Sequence, residues 1–137
     1  MAADATKIYS GPATKIELSP DDTVWTDAGF MNANAEINWE PAAAELSDQN
    51  EVQLSGKGTI VFELVQSDDP TIEAIKTYRT AKAYVRVTGV DTKTYKVSGI
   101  FLKMEVKRGF KPGEPHTIRV MGGRATLHAD DWCAAPV

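Results

Sequence analysis

The residues that could do chemistry in this chain are few, and their spacing works against them. His116, His128 and Cys133 are the imidazole and thiol ligands that a zinc site would draw on. Their spacing matches no compact zinc module, and H-E-x-x-H is absent. His128-Ala129-Asp130-Asp131 has the side chains for a cation, but it reads better as an acidic tail. Ser55-Gly56-Lys57-Gly58-Thr59 has the look of a phosphate loop. A Walker motif built on Gly56-Lys57 needs glycine at 51 and serine or threonine at 58, where Glu51 and Gly58 stand. An apolar strand follows where a helix should, so the glycines are expected to shape a bend or bulge.

No G-x-S-x-G elbow offers a serine nucleophile. Cys133, beside Trp132 near the C-terminus, reads as a structural or exposed thiol. Glu36, Glu40 and Glu63 could pair for acid–base hydrolysis if the fold brought them together, yet each reads as an ordinary outward strand residue. Trp25, Trp39 and Trp132 with Tyr9 could make a stacking platform for a sugar; Trp39 continues the apolar face of Ala35 and Ile37 and is expected in the core. The chain is therefore read as a non-enzyme without cofactor or metal.

Composition sets the frame in which any other function must sit. At 137 residues the chain is one domain, residues 1–137, able to bury about two thirds of its surface without staples. Cys133 is the only cysteine, so no internal disulfide framework exists. Neither a leader-like start nor an 18-residue apolar run is present, and the chain reads as soluble and unsecreted. Its net charge of −4 disfavours general affinity for phosphate backbones. That sum hides an asymmetry. Residues 1–68 hold 3 basic and 12 acidic side chains (−9), and residues 69–137 hold 12 basic and 7 acidic (+5). Either strands of the two halves interleave and the charges mix, or the fold has an acidic side and a basic side, on which like copies could attract head to tail.

The elements that must position these residues are mostly strands. Two-residue alternation marks Asn34 to Trp39, Ala81 to Thr88 and Tyr95 to Val106, Ala13 to Leu18 is a further expected strand, and Gly58 to Gln66, more continuously apolar, is expected as a central strand with both faces largely covered. In Tyr95 to Val106, Ile100, Leu102, Met104 and Val106 are expected on one face, with Tyr95, Val97 and Phe101 on the other. Thr117 to Met121 and Arg124 to His128 flank Gly122-Gly123, a pair suited to a two-residue hairpin turn. Asp69 to Arg79 changes period, with an N-cap aspartate, a proline in the first turn and apolar residues at 72, 75 and 78. The expected fold is mainly β: two packed antiparallel sheets, sandwich or barrel, with one short flanking α-helix at about residues 70–80.

Two stretches are expected as loops. Pro41 to Ser55 is polar, alanine-rich and long for a connection, and Lys107 to Gly113 is basic. They supply the candidate contact residues: Pro41, Glu45, Leu46, Asp48 and Glu51 from the first, Lys107, Arg108, Phe110 and Lys111 from the second.

The order of parts resembles the tail tube proteins of tailed bacteriophages. Asp27-Ala28-Gly29-Phe30 stands where that family has a D-x-G turn. Ala35 to Trp39-Glu40-Pro41 matches its strand with an E-P-like end, and Thr59 to Leu64 matches its T-x-x-F-x-L strand before the helix; Ala83 to Val87 follows. The resemblance spans roughly residues 24–90. It implies a virion structural protein, assembled in the host cytoplasm, that forms sixfold rings with merged sheets and stacks them into a tube. Its partners would be copies of itself, other tail proteins, and genome DNA passing without specific binding. The Pro41 to Ser55 loop would reach a subunit of the next ring. A tail terminator, head–tail connector or decoration protein would share the β-rich make-up, and a sugar- or small-ligand-binding β-sandwich module stands as the alternative from another class.

Overall fold

The computed structural model describes residues 2–126 and 132–137. Its elements are β1 (Ala13–Ser19), β2 (Thr26–Asp27), β3 (Met31–Glu45), β4 (Glu51–Leu64), α1 (Asp69–Lys76), β5 (Ala83–Gly89), β6 (Thr94–Lys107) and β7 (Thr117–Thr126), with short 3-10 turns at Ala5–Lys7 and Thr77–Arg79. All pairings are antiparallel, and they join the seven strands in the order β2-β1-β5-β6-β7-β4-β3. The fold is thus mainly β with one short helix. The two packed layers are halves of a single sheet that share β6, and the sheet does not close into a barrel.

The sharing is made possible by one glycine. Up to Ile100, β6 pairs with β5; from Phe101 onward it pairs with β7. Between Val85↔Val97 and Ala83↔Ile100, β5 advances two residues while β6 advances three, so β6 carries a bulge there. Gly99 sits in it at φ 71°, where a side chain would be strained. The extra residue reverses the alternation. Val97 and Ile100, expected on opposite faces, are both in the core, and Phe101 is turned outward.

The core lies between the two halves. Ile16 and Leu18 of β1 and Ala83, Val85 and Val87 of β5 meet Ile60, Phe62 and Leu64 of β4 and Ile118 and Val120 of β7. Helix α1 adds Ile72 and Ile75 to the same cluster, with Tyr78 packed beside it, as the spacing of these residues predicts. Its N-cap is Asp68 rather than Asp69: residue 68 is still extended (φ −75°, ψ 163°), which makes Asp69 the first helical residue. The Thr71 hydroxyl donates to the Asp68 carboxylate at 2.6 Å.

Two expectations about turns are corrected. The stretch from Pro41 to Ser55 is a hairpin: β3 runs to Glu45, β4 starts at Glu51, and only Leu46 to Asn50 turn. Alanine and proline are poor strand formers, which is why the stretch reads as a loop. Proline is tolerated because β3 is the edge strand and because Pro41 lies at a bulge, between Glu40↔Lys57 and Ala42↔Leu54. Gly122-Gly123 likewise forms no turn but lies inside β7, paired with Ile60 and Thr59 on one side and Leu102 and Phe101 on the other. A Cβ at Gly122 would stand 2.9 Å from the Phe101 carbonyl oxygen, so the glycine serves close strand packing. Leu127 and His128, the end of the expected last strand, lie outside the described residues.

The glycines of the Ser55 to Thr59 stretch have a packing role too. Gly56 lies beneath the Trp39 ring and Gly58 beneath Trp132, both on the inner face of β4. A Cβ at Gly58 would approach Trp132 Cδ2 to 2.4 Å. Gly58→Ala is therefore expected to destabilise the fold by about 1–3 kcal/mol, as overpacking does. Urea denaturation followed by tryptophan fluorescence checks this; an unchanged midpoint would mean that Trp132 moves aside freely.

Candidate functional site

The strand register decides where the candidate contact residues stand. Leu64 of β4 and Val106 of β6 both pair with Ile118 of β7, so β4 and β6 run in the same direction on either side of β7. The turn that precedes Glu51 is consequently at one end of this half of the sheet, and the loop that follows Lys107 is at the other. Fourteen residues of β4 separate them, about 40 Å along the strand. The nine candidates therefore do not form one site. Pro41, Glu45, Leu46, Asp48 and Glu51 gather on the hairpin, and Lys107, Arg108, Phe110 and Lys111 gather at the opposite pole.

The last described pair of β4 with β7 is Gly56↔Thr126, and from there β4 continues to Glu51 for five residues, about 17 Å, paired among the described residues with β3. From Ala42 to Leu54 the arm carries three carboxylates and no cation. Glu45 and Glu51 face each other across the ladder, a like-charge pair that disfavours the isolated arm and favours any cation brought to it. Asp48 orders the turn: the Asn50 backbone N–H donates to Oδ1 at 3.1 Å and the Asn50 side chain to Oδ2 at 2.8 Å. The backbone bond, with the side-chain one behind it, holds the Asp48 carboxyl below its ordinary pKa. Leu46 and Val52 expose apolar surface between these charges.

The opposite loop has the complementary sign. Lys107, Arg108 and Lys111 are exposed, with Glu114 the one carboxylate of the loop, 3.6 Å from Lys107 Nζ. A turn closed by Glu114 N–H to the Lys111 carbonyl (3.2 Å) uses Gly113 at φ 75°. Phe110 stands out from it, 87% exposed, its ring edge-on to His116 at 5.1 Å between centroids.

Elsewhere the two halves of the chain do interleave, and some of the charge asymmetry is cancelled inside the fold. Arg86 grips Glu17 through two bonds, Nε at 3.1 Å and Nη2 at 2.9 Å, while its guanidinium lies 4.3 Å from the Trp25 ring centre. Lys96 reaches Asp22 at 3.0 Å. These pairs link residues 69 and 74 positions apart, and no local pattern in the sequence announces them. The bond from Arg86 lowers the Glu17 pKa, and hydrogen bonds from Thr23, its backbone first, then from Val24, push Asp21 down to about 2. Both carboxyls have folded pKa values below their unfolded ones, so their contribution is complete above the ordinary carboxylate range and fades as pH falls through the lowered values. Stability should therefore decline from about pH 5 downward. Glu17→Gln should cost about 1 kcal/mol at pH 7 and flatten that decline in thermal melts taken from pH 7 to 2. An unchanged acid limb would assign it to other carboxylates.

The remaining chemical candidates are dispersed. Trp39 and Trp132 pack inward on β4 glycines and Trp25 lies under Arg86, so the three indoles share no exposed platform. Glu36 and Glu63 line one cleft of about 660 Å³ with Arg119, but each accepts from its own asparagine, Asn38 and Asn32, both at 2.8 Å; Glu40 is opposite Lys57. His128, Asp130 and Asp131 lie outside the described residues, and among those described no three His, Cys, Asp or Glu gather as a metal site would require.

One feature that the sequence reading missed is the edge of β3. The two outermost strands of the sheet are β2, two residues long, and β3, fifteen residues long. β3 pairs on one side only among the described residues, leaving a row of backbone donors and acceptors on the other. No protein-family model matches the chain, and no curated protein matches it.

Proposed function

We propose that the chain is a structural subunit that self-assembles side by side into rings and end to end into a tube, as the resemblance to tail tube proteins implies. The observation that carries this reading is the separation of opposite charge: an acidic two-stranded arm at one end of the sheet and a basic loop at the other. Such an arrangement suits a heterologous contact, in which the same two different patches meet at every step and the stack propagates. Lateral growth has its own surface in the free edge of β3, which ring closure would pair.

Two further points support it. The chain exposes 8974 Å², roughly a quarter more than the ~7,000 Å² typical of its mass, which suits a subunit whose projecting surfaces are covered only on assembly. The net charge of −4 suits a lumen along which a polyanion slides instead of sticking. In this reading the protein belongs to the tail of a virion, carries out no catalytic step and needs no cofactor.

The test is a concentration series in sedimentation velocity. The expected result is a monomer at low concentration that passes to discrete rings and then to open-ended heavy species, with the transition weakened by salt. Rings that never stack would favour a terminator or connector. A single monomeric boundary at every concentration would remove assembly altogether.

A further inference from the structure

The two most exposed aromatic rings among the described residues stand at one pole, and the acidic arm at the other has an apolar face open to water. Met31 is opposite Leu64, Leu64 opposite Ile118 and Ile118 opposite Val106, a row across four strands that places Phe30 at the end from which the basic loop leaves. Phe30 is 78% exposed on a fixed backbone: its carbonyl accepts from Val65 N–H at 2.9 Å and Gln66 N–H at 3.3 Å, and its own N–H donates to Gln66 Oε1 at 3.3 Å. Phe110, 87% exposed, is carried on a loop kept in shape by the Lys111 to Glu114 turn and the Lys107–Glu114 pair. Apolar surface held out in this way beside cations marks a contact surface. On the arm, alternation separates the side chains. Ala44 is opposite Val52, and Leu46, whose N–H donates to the Asn50 carbonyl at 2.6 Å, continues their face; Glu45 is opposite Glu51 on the other. Leu46, Val52, Glu45 and Glu51 are all exposed, so the arm is amphipathic with both faces in water.

We infer that the apolar face of one copy's arm, Leu46 and Val52, packs on Phe30 and Phe110 of the next copy, giving the end-to-end contact an apolar centre. The inference rests on the head-to-tail reading above and names what holds that contact once charge has brought the copies together. The occupant follows from charge. Pole on pole would set Lys107, Arg108 and Lys111 against themselves, arm on arm would set Glu45, Asp48 and Glu51 against themselves, and only arm on pole joins opposite signs. The dimensions agree. β3 and β6, the strands nearest the two rings, are three strand spacings apart, about 14 Å, within the ~17 Å of the arm. The arm is two strands wide, about 5 Å, so the long lysine and arginine side chains reach round its edge to the carboxylates of its far face. Exposed ion pairs steer the encounter and fade with salt, whereas the covered rings supply the part that salt leaves in place.

Two experiments test it. In the first, Phe30→Ala, Phe110→Ala, Val52→Thr and the double variant Val52→Thr with Phe110→Ala are compared with the unaltered chain by sedimentation, at low salt and in half-molar salt. Each phenylalanine variant is expected to weaken end-to-end association by about 30-fold, the burial of one aromatic ring, and by the same factor at both salts, with an unchanged circular dichroism spectrum. The double variant should be little weaker than Phe110→Ala alone, because the two side chains meet across the contact. Association equal to that of the unaltered chain, or effects of Val52 and Phe110 that multiply, would overturn the apolar centre while leaving head-to-tail assembly standing; an unaltered chain that never associates would overturn both. Flotation with vesicles of phosphatidylserine and phosphatidylcholine checks the other occupant: variants that lose vesicle binding and associate normally would assign the rings to lipid and overturn the proposal. In the second experiment Cys133→Ala removes the native thiol, and Ser47→Cys and Lys111→Cys place thiols beside Leu46 and Phe110. The two positions lie at opposite ends of β4, about 40 Å apart, so a disulfide between them joins two copies. Diamide oxidation forms it from two thiols, the diamide taking up the two electrons and two protons. The expected product is a ladder of dimers, trimers and longer chains on a non-reducing gel, with residues 47 and 111 linked in the peptides identified by mass. Symmetric dimers alone, linked 47 to 47 or 111 to 111, would overturn the proposal.

Discussion

A variant in which Ala42 to Gln53 are replaced by a two-residue turn is expected to stay folded and to lose end-to-end assembly completely. From Pro41 to Val52 every side chain except the half-buried Ala44 is exposed, and none of the core residues belongs to this stretch. Pairing of β3 with β4 continues from Glu40↔Lys57 down to Met31↔Leu64 without it. Removing the arm also removes the opposed Glu45 and Glu51, a repulsion that the isolated monomer otherwise bears. The melting temperature should therefore hold or rise slightly. The stack, by contrast, loses its acidic patch. Light scattering should show monomers or single rings where the unaltered chain forms long particles, and undiminished stacking would take the arm out of the account.

The second large effect is expected from the opposite pole. Reversing Lys107, Arg108 and Lys111 to glutamate turns a loop with three cations and one carboxylate into one with four carboxylates. Set against the acidic arm of a neighbour, each reversal converts attraction into repulsion at about 1 kcal/mol, so the triple variant should associate about 100-fold more weakly at low salt. The deficit should shrink toward tenfold or less in half-molar salt, where exposed charges more than a few ångströms apart are screened. The salt dependence is the informative part. Loss of association that ignores ionic strength would indicate damage to the loop itself, for example to the turn around Gly113.

These two surfaces were legible in the sequence as residue types and as an acidic and a basic half, but their places in the fold were not. Polarity and charge single out Glu45, Asp48, Glu51, Lys107, Arg108 and Lys111; that they stand at opposite ends follows only from the register of β4 and β6 against β7. Local signals read well. At Asp27-Ala28-Gly29 the Asp27 Oδ1 accepts from Gly29 N–H at 2.9 Å and Gly29 stands at φ 123°, a conformation that favours the glycine found there. Helix α1 and strands β1 and β5 fall where periodicity puts them, because there one face is buried by its immediate neighbours.

The misses share a cause. The Gly99 bulge, the glycines inside β7 and the strand through Pro41 all depend on which strand lies alongside, and that is decided by residues far away in the chain. A glycine pair suits a hairpin turn and suits a strand squeezed between two others equally well, and only the presence of Ile60 and Leu102 on either side of Gly122 separates the cases. Alternation through residues 95–106 likewise assumes an unbroken strand, and one extra residue at the change of partner exchanges the faces.

In the proposed function this domain is a building unit whose two poles fit each other. Negative-stain electron microscopy of the purified chain at high concentration and low salt tests it most directly. The expected images hold rings of uniform diameter and tubes made by stacking them, with the tubes shortening as salt is raised. Fields of isolated monomers at every concentration and ionic strength would contradict it.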